Sequence, residues 1–117
     1  MHLLAQLLTV LVALLHVYFL VLEMFLWTRP LGLKTFRNTP EKAETTRVLA
    51  ANQGLYNGFL AAGLCWAAAS GRQDLALFFL GCVVVAALYG AYSVSRRIFF
   101  VQGVPAIAAI AAVLLAG

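Results

Sequence analysis

The chain is poor in charge, and poorest in acid. Only 10% of its 117 residues are charged and four are acidic, against about 25% charged in an ordinary soluble domain. A water-facing surface of normal polarity is therefore excluded. Histidine and cysteine are equally scarce, two of each. There is no H-E-x-x-H, no glycine-rich phosphate loop and no C-x-x-C, so zinc hydrolysis, nucleotide binding and dithiol redox chemistry have no motif to rest on. Cys65 and Cys82 lie in apolar surroundings and read as small hydrophobes in helix packing; a disulfide between them is the minor alternative. Ser93 has no histidine at a matching depth, which leaves a hydrolytic triad unsupported. No metal site and no cofactor are expected, and no internal repeat is evident.

What the chain has in quantity is apolar sequence: 64% of it is hydrophobic, more than a soluble fold of this size can hide. The reading is an all-α, polytopic membrane protein with four transmembrane helices in one compact bundle (residues 1–117). Helices suit this role because each segment satisfies its own backbone hydrogen bonds in lipid. The expected helices are about 3–27, 40–69, 75–95 and 98–117, with a basic loop at 28–39. The first run lacks a preceding basic segment and carries His16 and Glu23, so it reads as a retained helix and not a cleaved leader. Thr28-Arg29-Pro30 with Gly32 stops it. Thr39-Pro40-Glu41 reads as N-cap, N1 proline and acidic first turn of the second helix, with Glu44 and Arg47 paired at i, i+3. Asp74 reads as the N-cap of the third. The fourth run has two readings. Length favours a helix from Ile98 with a kink at Pro105; capping favours a break at Gly103 and a new start at Pro105. The balance leans to a start between Ile98 and Gln102.

Cations set the topology. Arg29, Lys34, Arg37, Lys42 and Arg47 follow the first helix and Arg96-Arg97 the third, while only Arg72 follows the second. Loops 28–47 and 96–97 should be cytoplasmic and both termini outside. The basic balance thus belongs to the membrane surface; no nucleic-acid partner is expected.

Polar residues inside hydrocarbon are costly and usually functional. His2, Thr9, His16 and Glu23 recur every seven residues, with Trp27 four further on, forming one stripe. In the second helix Asn52, Gln53, Tyr56 and Asn57 span about 140° of arc at 3.6 residues per turn. Gly54, Gly58 and Ala61 are expected on the opposite side, in a tight helix contact. Depth places Tyr89 and Ser93 of the third helix and Gln102 of the fourth in the same cytoplasmic half. The expected site is one cavity lined by Glu23, His16, Trp27, Asn52, Gln53, Tyr56, Asn57, Tyr89, Ser93 and Gln102, with Arg47 or Arg96 as counter-charge. Each has an ordinary alternative: interhelical hydrogen bonding for the amides and His16, the aromatic belt for Trp27, Tyr89 and Tyr92, and packing for the Gly54-x-x-x-Gly58 pair. Glu23 resists such dismissal, because a carboxylate in hydrocarbon must be paired or protonated.

His16-x6-Glu23-Met24-Phe25-x-Trp27, the block Val48 to Leu64 with Asn52-Gln53-Gly54-Leu55-Tyr56-Asn57 at its heart, Tyr89-Gly90-Ala91 and Gln102-Gly103-x-Pro105-Ala106 resemble the bacterial membrane family catalogued as domain-of-unknown-function family 1304. The resemblance covers nearly the whole chain. It implies a four-helix protein of the bacterial inner membrane and implies no activity. From the residues, the first functional expectation is binding or transport of a small polar or cationic molecule, proton-coupled through Glu23, in a homodimer. The second is a membrane-embedded enzyme of proton-transfer or isomerase type, with Glu23 and His16 as candidate catalytic groups acting on a lipophilic substrate. An accessory structural role is the third. In every case the lipid bilayer is the first partner.

Overall fold

A computed structural model describes residues 1–116, and among them there is no strand. The helices are α1 (Leu3–Met24), α2 (Pro30–Thr35), α3 (Pro40–Ser70), α4 (Gln73–Ser93) and α5 (Arg96–Ala116). The expected end at Gly117 lies outside the described residues.

Three helices, and not clearly the expected four, are long and apolar enough to cross a membrane: α1, α4 and α5. α3 does not lack length, since its 31 residues span about 46 Å at 1.5 Å per residue. It lacks apolarity, because Asn52, Gln53 and Asn57 interrupt its hydrophobic run and Glu41 to Arg47 charge its first turns. At its start, Thr39 does cap: its Oγ1 accepts the Lys42 N–H at 3.2 Å.

The segment after α1 is more ordered than a plain loop. α1 stops at Met24, and Pro30 opens α2 at its first position, where a missing N–H is harmless. Arg37 then reverses the chain in the left-handed region (φ 51°), so that the Asn38 N–H reaches the Leu33 carbonyl at 2.9 Å. Further on, Arg72 and not Asp74 precedes α4. Asp74 sits in the first turn and accepts from Arg72 at 2.7 Å, which raises the guanidinium pKa above its ordinary value. α4 closes at Ser93. Ser95 Oγ then accepts the Arg97 N–H at 3.2 Å and starts α5, so Arg96 does not extend the α4 face of Tyr89 and Ser93.

α5 reconciles the two readings of the last run. It is continuous from Arg96 because a π turn occupies Phe99–Gly103, with the Val104 N–H on the Phe99 carbonyl. Proline cannot donate and its ring crowds the carbonyl four residues back. A widened turn immediately before Pro105 relieves that crowding without breaking the helix.

The chain divides into two compact units, Met1–Leu15 with the chain from Leu60 onward, and His16–Phe59. The first has an alanine-rich core: Ala5, Ala13, Ala67, Ala76, Ala106, Ala109 and Ala112 pack with Val12, Leu64, Leu80, Val83 and Val113. Small side chains let helix backbones approach closely where lipid supplies no hydrophobic drive between helices. Side-chain amides tie the ends: Gln6 Nε2 donates to the Ala68 carbonyl at 3.1 Å and Gln73 Nε2 to the Val113 carbonyl at 3.3 Å. The second unit contains the last turns of α1, all of α2 and the first two-thirds of α3, and it holds Glu23. Cys65 and Cys82 are both free thiols.

Candidate functional site

Within the His16–Phe59 unit, α1 presents Glu23 in its last turn and α3 presents Asn57. The Asn57 side-chain amide donates to Glu23 Oε1. Asn57 is buried and Glu23 half-buried. A carboxylate offers about four acceptor positions, so one amide leaves capacity for a proton or for a ligand donor.

Glycine makes this approach possible. A Cβ added at Gly54 would stand 2.6 Å from Met24 Cγ, 3.2 Å from Glu23 Cβ and 3.3 Å from the Leu20 carbonyl oxygen. One added at Gly58 would stand 2.8 Å from Leu20 Cδ1. Gly54 and Gly58 thus form the tight contact the sequence suggested, but with the Glu23 segment of α1 itself. The two faces expected on opposite sides of α3 meet here. At 100° per residue Asn57 lies only about 60° from Gly54, close enough for both to look at α1.

The other three polar residues of that helix do not join them. Asn52, Gln53 and Tyr56 are exposed, and Tyr56 instead meets Phe59 edge-on, ring centroids 5.8 Å apart. His16 is fully buried two turns before Glu23, edge-on to Phe19 at 5.4 Å. Trp27 is half-buried; its indole N–H donates to Thr46 Oγ1 at 3.1 Å and its ring lies 4.9 Å from that of Phe36. The tryptophan thereby ties the exit of α1 to the start of α3 across α2. Arg47 pairs with Glu44 at 3.3 Å on the exposed surface, so Glu23 is met by an amide where the sequence suggested a cation.

Tyr89, Ser93 and Gln102 belong to the other unit. Tyr89 is exposed, Ser93 Oγ donates back to the Tyr89 carbonyl at 2.7 Å, and Gln102 lies half-buried in the π turn. Among the described residues no group of His, Cys, Asp and Glu is arranged to hold a metal ion.

Thr46 escaped the sequence reading, and Gly32 entered it only as part of the stop after the first helix. Gly32 is buried, and a Cβ there would fall 1.9 Å from the Leu26 carbonyl oxygen, so this glycine seats α2 against the end of α1. Its one sequence signal is a glycine two residues after Pro30, inside the helix that Pro30 starts.

Residues 10–114 match the family described as protein of unknown function (DUF1304). The chain is also similar to the protein named uncharacterized protein YpaA of Lactococcus lactis subsp. lactis (strain IL1403). The two are 32% identical over 114 residues, covering 94% of this chain and 96% of that one. No solved structure matches it.

Proposed function

We propose, from the premise that this chain belongs to the DUF1304 family, that it is a multi-pass protein of the bacterial inner (cell) membrane whose Glu23–Asn57 pair binds a small polar or cationic molecule. The single observation behind this reading is a carboxylate kept half-buried at the end of an apolar helix with one neutral amide for company. Such a group is poor glue: a structural contact is made more cheaply without charge. It is a good receiver, because a cation or a proton supplies what the amide cannot. In transport Glu23 would exchange the two, which makes uptake proton-coupled.

In this reading α3 is the fourth span, entering the bilayer near Val48. Loops 28–47 and 96–97 face the cytoplasm and both termini lie outside, as the cation distribution favours. Asn52 and Gln53 would then be amides exposed at hydrocarbon depth, which is unfavourable unless they are covered. A second copy, amide against amide, would cover them, so this reading includes a homodimer. The enzyme reading, with Glu23 and His16 exchanging protons, has less support. Seven residues separate the two by about 10 Å along α1, and His16 is fully buried against Phe19.

The test is calorimetric binding of ethylammonium, guanidinium and tetraphenylphosphonium to protein in nanodiscs, with proton release followed in weak buffer. Binding of at least one probe with proton release, both lost in Glu23→Gln, is expected. No proton-coupled flux in proteoliposomes with any of the three, together with binding unchanged in Glu23→Gln, would sink the proposal.

A further inference from the structure

In the unit that holds α4 and α5, we infer that the groove between the end of α4 and the π turn of α5 holds one anionic phospholipid. The groove is lined by Leu88, Ala91, Phe99, Phe100 and the aliphatic part of Arg96, and Arg96 is exposed. This rests on the membrane reading above and is independent of the Glu23 pair.

The groove follows from how α5 begins. Gly90 admits Ile98, whose Cγ2 would lie 2.8 Å from a Cβ there, and Gly103 admits Ala87, whose Cβ would lie 3.1 Å away. These contacts draw the first turns of α5 onto α4. Phe99 and Phe100 are then splayed at 78° with centroids 5.8 Å apart, and Phe100 and Leu88 remain exposed. The result is an apolar slot of acyl-chain character with one cationic residue, Arg96, beside it.

Charge identifies the occupant. The one acidic side chain in this unit is Asp74, and it is engaged by Arg72 at 2.7 Å. It also stands at the far end of α4, about 30 Å away over the helix's 21 residues. Arg96 belongs neither to the Arg47–Glu44 pair nor to the Arg72–Asp74 pair. An exposed arginine whose stem lines an apolar slot matches a molecule with a hydrocarbon tail and a net anionic phosphate head, since the guanidinium can reach the head while the stem stays with the tail. A protein helix would fill the walls and leave Arg96 unanswered. A zwitterionic lipid would fill them with its phosphate already balanced by its own ammonium.

The experiment first extracts membranes with alkaline carbonate. A chain that leaves the membrane overturns the membrane reading; a chain that stays tests the groove alone. Protein from nanodiscs of equal phosphatidylglycerol and phosphatidylcholine is then examined by native mass spectrometry. One retained phosphatidylglycerol per chain is expected, favoured over phosphatidylcholine by about tenfold, the scale of one charge-assisted contact. Arg96→Gln should remove the preference, and Leu88→Trp, which fills the slot, should remove both lipids. Both positions are exposed, so folding is not at stake. Equal retention of the two lipids, or an unchanged preference in either variant, overturns the inference. So does inorganic phosphate binding with no lipid retained.

Discussion

Gly54→Ala tests whether the Glu23 contact is set by steric fit. Carbon atoms settle about 3.5–4.0 Å apart, and the new Cβ would stand 2.6 Å from Met24 Cγ. Methionine is flexible and that end can swing away. Glu23 Cβ at 3.2 Å and the Leu20 carbonyl at 3.3 Å belong to the α1 backbone or its first branch, so α1 and α3 must part by a few tenths of an ångström. Overpacking of this kind costs about 1–3 kcal/mol, while alanine recovers about 1 kcal/mol of helix propensity. The net loss alone would be ambiguous, so Gly81→Ala is the reference. A Cβ at Gly81 meets nothing within 4 Å, and that variant keeps only the propensity gain. Subtracting one from the other cancels propensity and leaves the overpacking, about 1–3 kcal/mol. Reversible unfolding in mixed micelles, followed by helix circular dichroism, gives both numbers. Infrared spectra of the Glu23 carboxyl should change in Gly54→Ala and not in Gly81→Ala, because only the first moves Glu23 relative to Asn57. Equal stabilities for the two variants would show that the glycine is not what brings α1 to α3.

Gly32→Ala should be the more damaging glycine change, about 3 kcal/mol or more, because the obstruction at 1.9 Å is a backbone oxygen that no rotamer can move; loss of the Trp27 emission signature in a Trp66→Phe background reports it. Arg37→Gly should stabilise by about 0.5–1 kcal/mol, since glycine tolerates φ 51° without the Cβ clash, and the same unfolding assay measures it. Asn57→Leu should cost about 1–3 kcal/mol by leaving the Glu23 carboxylate without its donor. Glu23→Leu added to it should recover much of that loss, and a double variant no more stable than the single one would show that Asn57 serves packing and not the carboxylate.

The four long helices were legible, because long apolar runs bounded by proline, glycine and charge leave little choice of element; α2, expected as loop, was not, because six residues carry no periodic pattern of their own. The caps were legible where side-chain chemistry is local, as at Thr39, and less so at Asp74, which sits inside the first turn of α4 and there accepts from the Arg72 guanidinium and the Leu75 N–H. Length placed the start of α5 within two residues, at Ile98 against the observed Arg96; capping rules alone pointed to Pro105, which a π turn absorbs without breaking the helix. Counting α3 with the other spans was a matter of weight: its apolar residues suggest a span, and its three amides subtract from it.

The site was half legible, and the missing half is rotational. Sorting α3 by chemistry puts Asn57 with Asn52, Gln53 and Tyr56, and puts the glycines opposite. Helical geometry sets Asn57 about 60° from Gly54, Gln53 about 100°, and Asn52 and Tyr56 about 160°. Sorting by steric demand gives a different answer. The line of closest approach must run along Gly54 and Gly58, since only there can α1 come near enough, and a polar residue gains a partner in proportion to its nearness to that line. Asn57 borders it and is buried against Glu23; Gln53, about 40° further round, is already exposed. The glycines therefore do not face away from the polar site. They are the reason it forms where it does, with one amide and not four.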